Sequence, residues 1–331
     1  VTGDWSSDVC SSDLSRRGKQ RHLDCRCIML SRSAKHLYWL ARYVERAENI
    51  ARMIDVNLEL ILDFPDDHSL NWKPLIDTLE INELFESKYK NYNESNVLNF
   101  LFEDKKNLSS LNNCLEMSKY NIETIKDDLP KTANISLNHL YDHVLGQKIS
   151  KVHQRRKLQH ITSIVMMTQN FFGAINDNLS RGYEFEFIRL GRFVERTDMI
   201  SRIIDCLCIS KSSKQTHDFS TMEWISMLST LSAQDAFRKE SKGEANRGEV
   251  ITFLLKNDSF PRSVFRSLIT IETCLKNLPK NTKLLKMINR IINISDRSKL
   301  HNFDDKRLHI FLDNLQKNIS KIDSKIHSTY F

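Results

Sequence analysis

The sequence has little glycine and proline, the residues that most often form turns. It holds 8 glycines and 5 prolines among 331 residues, which is about 4% of the chain against roughly 12% in an average protein. So few turn-forming residues do not suffice for a β-sandwich, a β-barrel or a many-looped α/β fold. The composition favours long helices and predicts an all-α fold.

Motifs of the common nucleotide-binding and hydrolytic sites are missing too. The chain contains no Gly-x-Ser-x-Gly turn, no Walker loop and no dinucleotide fingerprint. With 8 glycines in the whole chain, a Gly-rich phosphate loop is not expected either. We therefore expect neither nucleotide hydrolysis by the common routes nor a cofactor.

Long apolar runs are absent as well. No stretch reaches the roughly 18 apolar residues of a membrane span, and no signal-peptide core is present, so we expect a cytoplasmic protein with no membrane partner. The 7 cysteines show no zinc-ribbon spacing, which is typical of reduced, packed thiols. The net charge is +7, but basic and acidic residues alternate along the chain, so no nucleic-acid partner is predicted.

Residues 1–28 differ from the rest of the chain because they lack helical periodicity. The stretch VTGDWSSDVCSSDL resembles a translated sequencing adapter. We therefore expect residues 1–28 to be a non-native or disordered leader, with the natural start at Met29, and residues 29–331 to form one helical domain.

Apolar residues with a spacing of three or four predict the helices. The clearest pattern covers residues 33–63 and ends before Pro65. Its predicted core face consists of Leu37, Leu40, Val44, Ala47, Ala51, Ile54 and Leu58. Further helices are predicted at about 73–86, 94–103, 109–127, 134–149, 155–179, 184–209, 221–240, 245–256, 262–278, 281–294 and 304–327. Residues 211–218 are the best linker candidate.

The first long helix has a second copy. Residues 40–55 read LARYVERAENIARMID and residues 190–205 read LGRFVERTDMISRIID, with nine of sixteen positions identical at a constant shift of 150. A weaker echo pairs residues 100–115 with residues 253–268. Both echoes indicate a tandem duplication. We expect a large helical bundle of two halves, at about 30–150 and 180–290, related by a pseudo-twofold axis, followed by a C-terminal helix at about 304–327.

Both copies carry the same charges on the repeated helix. On a helical wheel the acids and one arginine form a stripe beside the core face, namely Glu45, Glu48, Arg52 and Asp55, with Glu195, Asp198, Arg202 and Asp205 in the second copy. Glu48 to Arg52 and Asp198 to Arg202 are i,i+4 pairs in the favourable order. Four more arginines are predicted to project away from the core: Arg42, Arg46, Arg192 and Arg196.

Two interpretations of these charges stay open. They are either ordinary helix flanks, with pairs contributing about 0.2–0.5 kcal/mol each, or side chains that the two halves bring together inside the protein. In the second case Glu45 and Glu195 are candidate acid–base groups, and the arginines are candidates for holding a carboxylate or phosphate. An interior ion-pair network would explain the repeated charges equally well. Neither copy has the Glu-x-x-His of a dimetal site, so no metal is expected.

Two smaller patterns have ordinary explanations. Pro261, Arg262 and Ser263 stand at a predicted helix start, where an anion could bind, but simple capping by Ser259 or Asp258 is the alternative. His139 and His143 have the i,i+4 spacing of two zinc ligands. Because no third ligand is evident, we expect them to be surface or packing residues.

Four segments resemble the bacterial alpha-E domain family. They are MLSRSAKHLYWLARYVERAENIARMIDVN from Met29, GYEFEFIRLGRFVERTDMISRIID from Gly182, LSAQDAFRKE at 231–240 and VITFLLKNDSFPRSV at 250–264. The resemblance extends from Met29 to the C-terminus and implies an all-helical protein. It places the family's Glu–Arg motif on Glu45–Arg46 and Glu195–Arg196, and its Pro-Arg-Ser element on Pro261–Ser263. The first half departs from the family, which tends to have Asn-Pro-x-Ser where this chain has residues 107–110 as NLSS.

The resemblance also implies a setting. Members are typically encoded beside, or fused to, a circularly permuted ATP-grasp ligase-like protein, often with a transglutaminase-like protease. It therefore implies a helical partner or substrate-positioning component of a peptide synthesis or modification system. The alternative is an enzyme of amide-bond formation or cleavage that uses Glu45 and Glu195. In either case the candidate ligand-binding residues are Arg42, Arg46, Arg192, Arg196, Arg262 and Ser263.

Overall fold

Every element in the described part of the chain is helical. The computed structural model describes residues 11–63, 71–146, 148–149, 152–210, 217–241 and 245–331. The helices are α1 (Ser11–Asp63), α2 (Lys73–Leu79), α3 (Asn82–Glu86), α4 (Glu94–Phe102), α5 (Leu111–Thr124), α6 (Lys131–Leu145), α7 (Gln154–Asn178), α8 (Tyr183–Ser210), α9 (His217–Thr230), α10 (Gln234–Glu240), α11 (Arg247–Lys256), α12 (Val264–Asn277), α13 (Thr282–Arg297) and α14 (Asp305–Tyr330). The predicted all-α fold class is confirmed.

Capping side chains set where many helices begin. Asn93, Ser110, Asn246, Ser263 and Asp304 each accept a hydrogen bond from the backbone N–H three residues later. Such a cap satisfies one of the free N–H groups of the first turn. The sequence uses small polar residues for this purpose, which fits a chain with so few glycines.

Two predicted helices are each broken into two. The helix predicted at 73–86 divides into α2 and α3 because Glu80 takes a left-handed conformation with a φ of 55°. The helix predicted at 221–240 divides into α9 and α10 at Ser232, whose φ is 50°. Glycine is the usual residue at such positions. With glutamate and serine in that role, the sequence pattern gave no sign of the breaks.

The repeated helices α1 and α8 pack against each other at the centre of the bundle. Helices α5, α7 and α14 pack on α1, and α12 and α14 pack on α8. The whole predicted core face of α1, from Leu37 to Leu58, is buried. Because neighbours surround α1, its charged side is enclosed as well. The prediction that Arg42 and Arg196 project away from the core is wrong, since both are buried.

Two features of the predicted domain plan stay predictions. The pseudo-twofold relation between the halves is one of them. The other is the leader, because residues 1–10 lie outside the described part while the backbone of residues 11–28 belongs to α1. Most of the linker candidate, residues 211–216, also lies outside the described residues. Among the helices that the structure describes, none is both long and apolar enough to cross a membrane.

Gly191 lets the two central helices approach closely. A Cβ atom at this position would lie 2.2 Å from the backbone oxygen of Tyr38 on α1. The matching position in the first copy is Ala41. Only a residue without a side chain fits between the two backbones at this point.

We predict that Gly191→Ala destabilises the protein, because α1 and α8 would have to separate and overpacking of this kind costs roughly 1–3 kcal/mol. Gly173→Ala is the matched control, since a Cβ at Gly173 in α7 would meet no atom within 4 Å. That variant should gain about 0.5–1 kcal/mol from helix propensity. Denaturant unfolding measures both, and equal shifts for the two variants would rule out the close approach.

Candidate functional site

Glu45 of α1 lies between two arginines of α8. Arg196 Nε donates to Glu45 Oε1 over 2.6 Å and Arg196 Nη2 donates to Oε2 over 3.0 Å, while Arg192 Nε donates to Oε2 over 2.9 Å. The Glu45 side chain has no exposed surface. Both carboxylate oxygens therefore bind guanidinium groups from the facing helix.

Glu195 of α8 has the same surroundings with the helices exchanged. Arg46 Nε donates to Glu195 Oε1 over 2.5 Å and Arg46 Nη2 donates to Oε2 over 3.0 Å, while Arg42 Nε donates to Oε2 over 2.7 Å. Each copy of the repeated motif thus provides two arginines for the glutamate of the other copy. The candidate residues of the two copies do lie together inside the protein.

Further charged groups extend this arrangement at both ends. Glu48 binds Arg52 over 2.8 Å and also binds Arg262. At the other end Arg42 Nη1 donates to Asp323 of α14 over 2.7 Å. The ion pairs form two groups, one around Glu195 and one around Glu45 and Glu48, and we call the two groups together the ion-pair cluster. The first group consists of Arg42, Arg46, Glu195 and Asp323, and the second of Glu45, Glu48, Arg52, Arg192, Arg196 and Arg262.

The outer members of the predicted charge stripe lie outside this cluster. The Asp198 to Arg202 pair forms as predicted, at 2.9 Å, and Arg202 also contacts Glu80 at 2.8 Å. Asp55 accepts a hydrogen bond from Thr162 and Asp205 contacts His309. The later residues of the stripe therefore have partners elsewhere in the protein. Glu45 and Glu195, near the start of the stripe in each copy, are the ones that bind arginines of the other copy's helix.

The arginines keep both central glutamates ionised. Burial by itself would raise the pKa of Glu45, but Arg196, Arg192 and Arg262 outweigh it and hold that pKa well below its ordinary range. For Glu195, Arg46 and Arg42 overcome the same effect of burial and lower the pKa to about 2. Ionised carboxylates with every oxygen bound are stable as ion pairs and poor as proton carriers.

The Pro-Arg-Ser element serves packing and capping. Ser263, rather than the predicted Ser259 or Asp258, caps α12, and its hydroxyl also donates to the carbonyl oxygen of Asn257. The caps predicted at Ser259 and Asp258 are wrong because Asn257 holds the backbone of Ser259 and Phe260 in a turn before the helix begins. Arg262 reaches across to Glu48 and lies 3.7 Å from Glu45. Burial and the neighbouring Arg196 lower the pKa of Arg262 to about 9.

The two histidines with zinc-ligand spacing, His139 and His143, have different surroundings. His139 is exposed, whereas the centre of the His143 ring lies 4.2 Å from that of His160 on α7, with the two ring planes tilted by 32°. Burial and the nearby His143 lower the pKa of His160 to about 4. In the described residues, no three His, Cys, Asp or Glu side chains form a group that could hold a metal.

Sequence analysis missed Asp323, which binds both Arg42 and the hydroxyl of Tyr38, the latter over 2.6 Å. Asp323 follows the buried residues Ile319 and Ile322 on the inward face of α14. An acid on an otherwise apolar helix face is the signal that points to it. It has no counterpart in the repeated sequence, so the duplication did not reveal it.

Comparison with known proteins identifies a family for this chain. The family model described as "a predicted alpha-helical domain with a conserved ER motif" matches residues 29–331. The only two Glu–Arg dipeptides of the chain are Glu45–Arg46 and Glu195–Arg196, both at the centre of the ion-pair cluster. No curated protein and no solved structure matches the chain.

We predict that Glu195→Gln lowers the free energy of unfolding by about 3–5 kcal/mol, because two buried guanidinium groups lose their charged partner. Asp313→Asn is the matched control, since it removes the same charge from an exposed pair with Lys317 on α14 and should cost less than about 0.5 kcal/mol. Urea unfolding measures both. Equal, small losses would show that the cluster contributes no more than a surface pair.

The depressed pKa of Glu195 also predicts how stability depends on pH. The folded value of about 2 lies below the ordinary 4.5, so the stabilising effect of this group is complete above about pH 4.5 and is lost as the pH falls towards 2. The stability difference between wild type and Glu195→Gln should therefore narrow between pH 4.5 and 2. A difference that stays constant over this range would contradict the assignment.

Proposed function

The chain belongs to the Alpha-E family, and we propose that it acts as a helical partner protein that docks on an ATP-grasp-like ligase and positions its peptide or acceptor substrate. The partner, and the transglutaminase-like protein expected with it, come from the genomic setting that the family resemblance implies. In this role the chain supplies a rigid helical surface and the ligase supplies the nucleotide chemistry.

One observation favours the partner function over an enzyme: Glu45 and Glu195 are each bound by two arginines, and both oxygens of each carboxylate accept hydrogen bonds. A general acid or base works best with a pKa near the working pH and needs an open path to the substrate. These carboxylates have depressed pKa values and almost no exposed surface. They are suited to joining α1 and α8 rather than to proton transfer.

The sequence supports the same assignment. It lacks the common nucleotide loops and nucleophile motifs, so an amide-forming reaction would need a second protein to activate the acyl group with ATP. A helical partner needs no such groups. The enzyme alternative depends on Glu45 and Glu195 alone.

The docking prediction is tested by co-expression with an ATP-grasp-like protein from the same genome, the kind of partner that the family resemblance implies. We expect the two proteins to co-purify as a stable complex, and product formation by the ligase to rise when the chain is added. Failure to co-purify together with no effect on turnover would reject the partner function.

A second experiment separates the partner from the enzyme. Glu45→Asp/Glu195→Asp keeps both charges but moves each carboxylate back by one methylene, a shift of about 1 Å that costs a catalytic group roughly 10²-fold. The matched control is Glu116→Asp at an exposed glutamate on α5. We expect unchanged turnover of the complex for every variant that folds and binds. A selective loss of turnover in the double variant, with binding intact, would instead establish the enzyme.

A further inference from the structure

A small cavity lies between α7 and α8, beside the ion-pair cluster. Its volume is about 220 Å³, and its walls include Phe172, Asn176, Phe185, Arg189, Arg192 and Phe193. This volume corresponds to about seven water molecules at liquid density and is below the range typical of drug-sized ligands. The walls are mainly aromatic and aliphatic, with two arginines as the charged groups.

Arg192 connects this cavity with the buried cluster. Its Nε donates to Glu45 over 2.9 Å, and its guanidinium carbon lies 3.6 Å from the ring centre of Phe172. Its Nη2 is 3.9 Å from Glu48 Oε2, beyond hydrogen-bond distance. Within the described part of the chain, the terminal nitrogens of Arg192 therefore donate no hydrogen bond, although the side chain is only 23% exposed.

The corresponding arginine of the first copy has a different environment. Arg42 stands at the position that matches Arg192, and its Nη1 donates to Asp323 over 2.7 Å. No described carboxylate takes that place beside Arg192, where the cavity lies instead. Arg42 thus donates a hydrogen bond to a second carboxylate, that of Asp323, whereas the nearest second carboxylate to Arg192 is that of Glu48, 3.9 Å away, and the Arg192 side chain borders the cavity.

The charge of the surroundings favours an anion in this space. The ion-pair cluster contains six arginines and four carboxylates, which leaves an excess of two positive charges. Arg189, also on the cavity wall, lies 3.6 Å from Glu186 and stays one-third exposed. Burial and the adjacent Arg196 lower the pKa of Arg192, so a further negative charge would relieve repulsion among these groups.

We propose that this cavity binds the carboxylate of a small ligand that carries an apolar or aromatic group. The carboxylate takes the place beside Arg192 that Asp323 takes beside Arg42, and the guanidinium groups of Arg192 and Arg189 bind it through charged hydrogen bonds. The phenyl rings of Phe172, Phe185 and Phe193 contact the apolar group. Ligands of this chemistry are N-acylated aromatic amino acids and peptides that end in an aromatic residue.

Carboxylate fits better than phosphate for two reasons. First, the group that binds the matching arginine, Arg42, is itself a carboxylate, that of Asp323. Second, the remaining cavity walls offer few hydrogen-bond donors for the additional oxygens of a phosphoryl group. The inference goes beyond the proposed function and does not depend on a protein partner, because it concerns this chain alone.

Calorimetric titration of the purified chain tests the proposal. N-acetyl-phenylalanine should bind, and its neutral amide, N-acetyl-phenylalaninamide, should bind about tenfold to a hundredfold more weakly because charged hydrogen bonds are lost. Acetyl-Ala-Ala-Phe distinguishes the two sources of the carboxylate, since tighter binding of the peptide identifies a peptide C-terminus. Equal binding of acid and amide, equal binding of phenyl phosphate, or no binding of either acid would overturn the proposal.

A variant of the cavity wall tests the binding site without removing any ion pair that holds the helices together. Asn176→Asp places a carboxylate on the cavity wall without touching the ion-pair cluster, and it should compete with the ligand and weaken its binding at least about tenfold. Asn178→Asp is the matched control, because it makes the same change at an exposed residue of α7 that does not line the cavity. Unchanged affinity in Asn176→Asp, or equal loss in both variants, would contradict the proposed site.

Discussion

The structure depends on one reciprocal interaction: a buried glutamate on each central helix is bound by two arginines of the other. Glu45 and Glu195 are 150 positions apart in sequence, and each receives three hydrogen bonds from the facing helix. If α1 slid along α8 by one turn, every one of these bonds would break and buried charges would lose their partners. Burying ion pairs is costly in itself and is weak evidence for high stability. We therefore expect the main effect of these ion pairs to be on the register of α1 against α8. Gly191 allows the two backbones to approach closely enough for these hydrogen bonds to form.

The same interaction limits what the site can do chemically. Carboxylates that are enclosed, ionised and fully bonded are poor proton carriers at neutral pH, which is why we propose that Glu45 and Glu195 hold α1 and α8 together. The proposed ligand site lies instead at a place where the two copies differ. Asp323 completes Arg42 on one side, while on the other side Arg192 borders a cavity with aromatic walls. A helical protein that binds a carboxylate ligand in this cavity fits the proposed role as a partner of a ligase.

Much of this fold could be predicted from the sequence, because helical periodicity and the repeated motif are both local patterns. The core face from Leu37 to Leu58 and the pairs Glu48–Arg52 and Asp198–Arg202 follow directly from helical spacing. The environment of the arginines does not, because a helical wheel assumes one buried face and α1 is surrounded by several helices. The left-handed conformation of Ser232 has no pattern in the sequence. Asp323 stands out in the sequence as an acid on an apolar helix face, but its bond to Arg42 depends on how α14 packs, so no sequence argument identified that partner. The cavity beside Arg192 likewise depends on tertiary structure, because residues of both α7 and α8 line it.

The central claim is that Arg46 and Glu195 act as one unit across the interface between α1 and α8. A double-mutant cycle with Arg46→Ala, Glu195→Gln and the combined variant, measured by denaturant unfolding at neutral pH, tests it most directly. We expect a coupling free energy above about 1.5 kcal/mol, as found for close, desolvated charge pairs. Losses that add to within about 0.5 kcal/mol would show that the two side chains act independently, and the account of a reciprocal frame would then be wrong.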